Sequence, residues 1–141
     1  MDDFTFTLGR ISDAALADLT ADFASLAPNQ YADGAYRYRR YSRFTFDRAN
    51  RVVAILPPRD FAQAGDINHF QPGVQRHYDD LLASTWQSSG FAELCAAFAS
   101  EGELPELATI EVHQLRVISD DPAHEAPTAP EGVHQDGFDR I

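Results

Sequence analysis

The sequence contains no lysine, because all eleven of its basic residues are arginine. A lysine nucleophile and a lysine Schiff base are therefore excluded. The one cysteine, Cys95, has no partner for an internal disulfide, and its setting in FAELCAAFAS predicts a buried apolar thiol rather than a reactive one. No stretch approaches the roughly 20 apolar residues that cross a bilayer, and the N-terminus lacks the basic and apolar regions of a signal peptide. We therefore expect a cytoplasmic protein without a membrane partner.

Basic residues are also scarce relative to acidic ones, so the formal net charge is -11 over 141 residues. An acidic field of this kind repels nucleic acid, and no nucleic-acid partner is expected. The run YRYRRYSR interleaves arginine with tyrosine, as single-strand binding surfaces do, but no further basic cluster supports that interpretation. Two alternatives stay open for these arginines. They form salt bridges with the protein's own carboxylates, or a guanidinium such as that of Arg40 binds the carboxylate of a small substrate.

Apolar residues make up 44% of the sequence and charged residues 23%, which is typical of a globular protein of one domain spanning residues 1–141. Alternating apolar residues predict an opening strand over residues 4–8. Helical spacing predicts a helix over residues 12–28, capped by a polar residue at its start and ended by Pro28.

The rest of the chain contains segments with strand alternation and segments with helical spacing. Residues 36–46 and 51–56 predict an antiparallel hairpin around the polar turn DRAN. Residues 71–86 and 90–100 predict two helices, and Gly102 is placed to end the second one. Residues 108–118 are rich in β-branched side chains and predict a strand. The fold class is therefore expected to be α+β.

Near the C-terminus, GVHQD places His134 and Asp136 two residues apart. On an extended strand both side chains would leave the same face. Imidazole nitrogen and carboxylate oxygen together are ligands that suit Fe(II). A short motif of this kind also arises by chance, so its sequence context decides its meaning.

That context is specific. EVHQLRV leads through a proline-rich acidic loop into PEGVHQDGFD, and YRRYSRFTF and INHFQPGVQRHYDDL lie upstream. Together these segments resemble the bacterial 2-oxoglutarate and Fe(II)-dependent dioxygenases that hydroxylate free amino acids, the isoleucine hydroxylase type. The resemblance runs from about Tyr36 to the end of the sequence. It implies N-terminal helices packed on part of a double-stranded β-helix, or jelly roll, with Fe(II), 2-oxoglutarate and O2 as cofactor and cosubstrates.

The resemblance also implies a site. It assigns His134 and Asp136 to iron, as two members of a two-histidine, one-carboxylate set. The third ligand, a histidine, and the basic residue that binds 2-oxoglutarate would both lie beyond Ile141. We therefore expect that the chain is truncated after the motif, and that either a missing C-terminal segment or a second copy of the chain in a homodimer completes the sheet.

Other residues of the resembling segments are candidates for substrate or cosubstrate contact, namely His113, Gln114 and Arg116. Because strand side chains alternate, Gln114 and Arg116 share one face and His113 points the opposite way. The alternative is structural: Arg116 pairs with a carboxylate such as Glu111 or Glu131, and His113 is a packed strand residue. The remaining histidines are interpreted as surface or structural residues, and they are His69, His77 and His124.

The implied reaction is hydroxylation of a small molecule, a free L-amino acid, with conversion of 2-oxoglutarate to succinate and carbon dioxide. An alternative follows from the two features that the resemblance places beyond Ile141. The chain would then be a catalytically silent remnant that acts as a binding module.

Overall fold

The computed structural model describes residues 6–28, 36–59 and 77–118, which contain helices and an antiparallel sheet. This mixture confirms the predicted α+β class. In chain order the elements are α1 (Asp13–Thr20), a 3₁₀ helix (Phe23–Ser25), β1 (Ala27–Pro28), β2 (Arg37–Asp47), β3 (Val52–Ile55), α2 (Ala83–Trp86), α3 (Ser89–Glu101) and β4 (Leu107–Val117).

Strand β2 is the element to which the other three strands bind. Strand β1 pairs antiparallel with its beginning and β3 pairs antiparallel with its end. Strand β4 pairs with β2 as well. The Ile118 N–H donates to the Tyr36 carbonyl at 3.0 Å, and the Arg48 N–H donates to the Glu106 carbonyl at 2.8 Å. Residue numbers therefore rise along β2 while they fall along β4, so this pair is antiparallel too.

The chain divides into two compact units, which we describe separately. The first comprises Met1–Asp22, Arg43–Leu56 and Leu82–Ile110, and the second comprises Phe23–Ser42, Pro57–Leu81 and Glu111–Ile141. A single domain over residues 1–141 stays a prediction.

The predicted hairpin is confirmed in the first unit, where Phe44 lies opposite Ile55 and Asp47 lies opposite Val52. The carboxylate of Asp47 holds the turn, since it accepts the Asn50 backbone N–H at 3.0 Å and the Asn50 side-chain amide at 2.8 Å. These hydrogen bonds lower the pKa of Asp47. Arg51 closes the turn with φ of 53°.

Hydrogen bonds at the N-termini of α1 and α3 join these two helices. Ser12 caps α1 by accepting the Ala15 N–H, and Glu93 accepts both the N–H and the hydroxyl of Ser12 at 2.7 and 2.8 Å. These bonds lower the pKa of Glu93. Asp18 in turn accepts the Gly90 N–H at 3.0 Å. Each helix therefore supplies a carboxylate to the donors at the start of the other, which is where a helix leaves N–H groups unsatisfied.

The apolar core of the first unit lies between α3 and the end of β2. Phe44 and Phe91 are fully buried, with ring centroids 4.9 Å apart. Cys95 and Ala99 follow Phe91 at helical spacing and are also buried. The sequence-based expectation of a buried Cys95 is confirmed, and burial raises the pKa of its thiol from 9.0 to about 12.

Helix α3 ends where the sequence predicted. A glycine that ends a helix commonly takes the left-handed conformation, but Gly102 does not. Gly102 caps the helix with φ of -80°, in the ordinary helical region. The left-handed conformation falls on the next residue, Glu103, with φ of 52°. The Leu104 N–H then returns to the Ala99 carbonyl at 2.9 Å and fixes the exit of the chain.

Two predicted elements near the N-terminus differ from the structure. Of the strand predicted over residues 4–8, residues 4 and 5 lie outside the described part and residues 6–8 form no strand; Phe6 and Leu8 are 75% and 83% exposed, so neither apolar side chain gains from burial there. The helix predicted over residues 12–28 ends at Thr20, whose hydroxyl bonds back to the Leu16 carbonyl. Such back-bonding competes with the regular helix. Pro28 does not end a helix, because it belongs to β1.

The helix predicted over residues 71–86 is present only as Ala83–Trp86, and residues 71–76 lie outside the described part. Residues 79–81 bind β2 instead. The Tyr41 N–H donates to the Asp79 carbonyl at 3.0 Å, and the Ser42 hydroxyl accepts the Leu81 N–H at 3.0 Å and donates to Asp80 at 2.5 Å. These tertiary hydrogen bonds replace the ones that a helix would have made. None of the described helices is long and apolar enough to cross a membrane.

The close approach of α1 and α3 predicts that Gly90→Ala destabilises the protein. A methyl group at this position would lie 2.7 Å from the Ala15 Cα and 2.8 Å from the Asp18 Cβ. Overpacking of this kind costs about 1–3 kcal/mol. Urea denaturation measures the loss, and Ser89→Ala, at an exposed site one residue earlier, should change stability by no more than about 0.5 kcal/mol. Equal effects of the two substitutions would contradict this account.

The buried thiol predicts a loss of stability at alkaline pH. The folded state binds the Cys95 proton more tightly than the unfolded state does, so the stabilisation is complete below pH 9 and disappears as pH rises towards 12. Between pH 8 and 11, the stability advantage of the wild type over Cys95→Ala should shrink by about 2–3 kcal/mol. Denaturation of both proteins across that range tests this. Tyr41 titrates similarly in both proteins and cancels in the difference, so a constant difference would refute the assignment.

Candidate functional site

In the second unit, strand alternation separates the polar side chains of β2 and β4 into two faces. Arg40 and Ser42 of β2 share a face with Gln114 and Arg116 of β4, and we call this the even face. The opposite, or odd, face carries Arg39, Tyr41, Glu111, His113 and Leu115. Side chains on opposite faces of a sheet cannot meet through it.

The even face is occupied by contacts within the unit. Arg40 donates from Nη2 to the Ser25 carbonyl at 3.0 Å, and Arg116 donates from Nη1 to the Phe23 carbonyl at 3.3 Å. The strand register places Gln114 opposite Arg40, and Gln114 is only 6% exposed. Two guanidinium groups therefore hold the 3₁₀ helix against this face of the sheet.

The odd face carries a cluster of polar and aromatic side chains, here named the Tyr41 cluster and defined as Tyr41, Arg59, Glu111 and His113. The Tyr41 hydroxyl donates to Glu111 Oε2 at 2.9 Å, and Arg59 Nη2 donates to Glu111 Oε1 at 2.8 Å. The ring of His113 lies 4.7 Å from that of Tyr41, measured between centroids. His113 is exposed, whereas Tyr41 is almost fully buried.

The protonation state of Tyr41 follows from its surroundings. Burial, followed by the hydrogen bond to the Glu111 carboxylate and by its negative charge, raises the pKa of Tyr41 from 10.0 to about 12. Arg59 opposes this rise but does not cancel it. Tyr41 is therefore a neutral hydroxyl donor at physiological pH, and its proton is directed at Glu111.

A further arginine of the odd face lies beside an aromatic ring. The guanidinium carbon of Arg39 is 5.6 Å from the centroid of the Tyr78 ring, within the range of a cation–π interaction. The Arg39 Nε is buried and has no hydrogen-bond partner within residues 6–28, 36–59 and 77–118. Within the described part of this unit, the odd face thus presents guanidinium groups together with the Glu111 carboxylate.

The structure separates the candidate site residues that the sequence grouped together. Arg40, Gln114 and Arg116 lie on the even face and His113 lies on the odd face, which confirms the predicted divergence of His113 from its neighbours. Glu111 is not placed to pair with Arg116, because the two residues leave opposite faces of β4. His134 and Asp136 lie outside the described residues, as do Glu131, His69 and His124.

Sequence reasoning did not find Tyr41 and Arg59 as partners of Glu111. A signal existed for β4, since Glu111 and His113 are two residues apart on one strand face. Tyr41 lies on the predicted hairpin, but its neighbours on β4 depend on the register between β2 and β4, which the sequence does not reveal. Arg59 follows two prolines after β3, where no periodicity indicates its direction.

Within the described residues, no group of three or more histidine, cysteine, aspartate or glutamate side chains could hold a metal ion. The iron ligands suggested by the sequence pattern must therefore be judged by their donor chemistry. One imidazole nitrogen and one carboxylate oxygen, two residues apart, fit the mixed nitrogen and oxygen set that Fe(II) takes in oxygenases.

The fold has a solved counterpart. The crystal structure of a BsmA homologue from Methylobium petroleophilum superimposes with a TM-score of 0.61 at 22% sequence identity, over 74% of this chain and 44% of that one. This chain therefore spans less than half the length of its structural neighbour, and at this identity the likeness establishes the fold alone. None of the curated proteins matches the sequence. A family model described as 2OG-Fe dioxygenase matches residues 20–141. This match covers most of the sequence, and the chain therefore belongs to the 2OG-Fe dioxygenase family, whose members use Fe(II), 2-oxoglutarate and O2.

Proposed function

We propose that the protein hydroxylates a small substrate, a free L-amino acid, in a reaction that depends on Fe(II) and 2-oxoglutarate. The observation that carries this proposal is the family match over residues 20–141, because the matched range includes the His134-x-Asp136 motif. The amino-acid substrate is supported by the resemblance of EVHQLRV and PEGVHQDGFD to the amino-acid hydroxylases.

In this proposal His134 and Asp136 bind the iron. Bound Fe(II) supplies the oxygen-dependent oxidative chemistry that no side chain provides by itself. Two protein ligands hold a metal less firmly than three, and the family pattern requires a second histidine.

The two faces of the sheet then have different tasks. The odd face offers the exposed His113 and the Tyr41 cluster to a substrate, whereas the even face supports the fold. The hydrogen bonds of Arg40 and Arg116 to main-chain carbonyls favour a positioning role for these residues over direct contact with 2-oxoglutarate. We propose the same supporting role for Gln114, which is buried beside them.

The outer edge of β4, which no strand of the described residues pairs, supports the jelly roll as the complete architecture. Within the described residues β4 pairs with β2 alone. Its outer edge thus carries backbone N–H and C=O groups over Leu107–Val117 that a further strand can pair. We propose that the sheet continues at this edge, either within the polypeptide or through a second copy in a homodimer. A cytoplasmic location completes the proposal.

The iron site predicts a visible absorption band when Fe(II) and 2-oxoglutarate are added anaerobically to the product of the complete reading frame. His134→Ala and Asp136→Ala should each abolish the band and reduce succinate formation at least about 100-fold, since each removes a first ligand of the metal. Absorption spectroscopy and a succinate assay measure the two effects.

The matched control for this experiment is His77→Ala, which removes an exposed histidine outside the motif and should leave the band intact. If the wild-type protein shows no band at millimolar 2-oxoglutarate, the oxygenase proposal fails. A catalytically silent binding module is then the better description. If a band persists in His134→Ala, the ligand assignment is wrong.

A further inference from the structure

Glu111 is a carboxylate held in one orientation on a rigid strand. One oxygen accepts the Tyr41 hydroxyl at 2.9 Å and the other accepts Arg59 at 2.8 Å, and the Glu111 side chain is 18% exposed. An ionised carboxylate has about four acceptor positions, so the contacts made by residues 6–28, 36–59 and 77–118 leave about two of them for another donor. A cationic group that approaches the odd face would meet an acceptor whose position is already fixed.

Arg59 adds the opposite charge beside it. Its side chain is 56% exposed, and among the described residues its guanidinium, which carries five N–H donors, contacts the Glu111 carboxylate and the Tyr41 hydroxyl. The remaining donors form the planar arrangement that binds carboxylates with two parallel hydrogen bonds. The Arg59–Glu111 pair therefore presents a fixed negative group and a partly free positive group side by side.

A zwitterion matches this arrangement. The ammonium and carboxylate of a free α-amino acid are also side by side, so they can lie against Glu111 and Arg59 with opposite charges adjacent. Neither a carboxylic acid without an amine nor an amine without a carboxylate would satisfy both groups. Glu111 lies on β4 and Arg59 lies in the segment after β3, and both residues belong to the second unit.

We propose that Glu111 and Arg59 determine specificity by binding the charged head group of the amino-acid substrate, and that Tyr41 is the positioning residue for Glu111. The inference rests on the proposed function for the class of ligand, and it adds the residues that recognise that ligand. Its structural alternative is that the Arg59–Glu111 ion pair only ties the segment after β3 to β4. Exposed ion pairs often contribute little to stability. An ion pair with only this structural task would not make ligand affinity depend on the charges of the ligand, so binding measurements distinguish the two interpretations.

The test is calorimetric titration of the complete protein, anaerobically, with Fe(II) and 2-oxoglutarate present and again with both absent. Three ligands are compared: the tightest-binding standard L-amino acid, the 2-hydroxy acid with the same side chain, and the amine that lacks the carboxylate. Glu111→Gln should weaken the amino acid and the amine by about 10- to 100-fold, as expected for loss of a charge-assisted hydrogen bond. The affinity for the hydroxy acid should change by less than about twofold, since that ligand carries no ammonium for Glu111 to bind.

Arg59→Gln should give the complementary pattern, with the amino acid and the hydroxy acid weakened and the amine unchanged or tighter. Tyr41→Phe keeps the buried ring and removes only the hydroxyl, so it should produce a smaller loss confined to the two ligands with an ammonium. Arg10→Gln and Glu106→Gln are matched controls. They remove the same charges at exposed sites outside the cluster and should alter none of the affinities.

Equal weakening of all three ligands by Glu111→Gln would overturn the inference, because it would show a general effect on the fold. Failure of every L-amino acid to bind the wild-type protein would overturn it as well. The visible band of the iron chelate reports the oxygenase proposal independently. A band without amino-acid binding therefore refutes the inference and the amino-acid substrate but leaves the iron chemistry standing, and charge-selective binding without a band refutes only the iron chemistry.

Discussion

The antiparallel register between β2 and β4 is the constraint on which the rest of the second unit depends. It brings Tyr41 beside His113 and Glu111, and it places Arg40 opposite Gln114. A shift of one residue would exchange the two faces, because side chains alternate along each strand. The same register therefore determines which arginines hold the 3₁₀ helix and which lie on the same face as the half-buried Glu111 carboxylate.

Arginine serves different purposes on the two sides of this sheet. On the even face its planar group of donors reaches the main-chain carbonyls of Ser25 and Phe23. On the odd face Arg59 meets a carboxylate and Arg39 lies beside an aromatic ring. A protein with a net charge of -11 has ample carboxylates for pairing, yet the described contacts use the guanidinium as a directional donor more than as a mere positive charge.

The sequence predictions were accurate where the interactions that form an element join residues close together in sequence, and less accurate where they join distant residues. The hairpin, α3 and β4 were predicted because period and turn chemistry act between neighbours in sequence. The helix predicted over residues 71–86 is absent at residues 79–81, because these residues find hydrogen-bond partners on β2. The helix over residues 12–28 was too long because its apolar spacing continued past the point at which the backbone turns into the 3₁₀ helix and β1.

The sequence by itself determined the acidic character, the α+β class, the burial of Cys95 and the motif around His134 and Asp136 that resembles an oxygenase. These properties depend on composition or on residues close together in the chain. Only the tertiary structure decided that Glu111 is bound by Tyr41 and Arg59, which are 70 and 52 residues away in sequence. The physical reason is that the register between β2 and β4, and the direction of the segment after β3, determine which distant side chains meet. Neither of them produces a periodic pattern in the sequence.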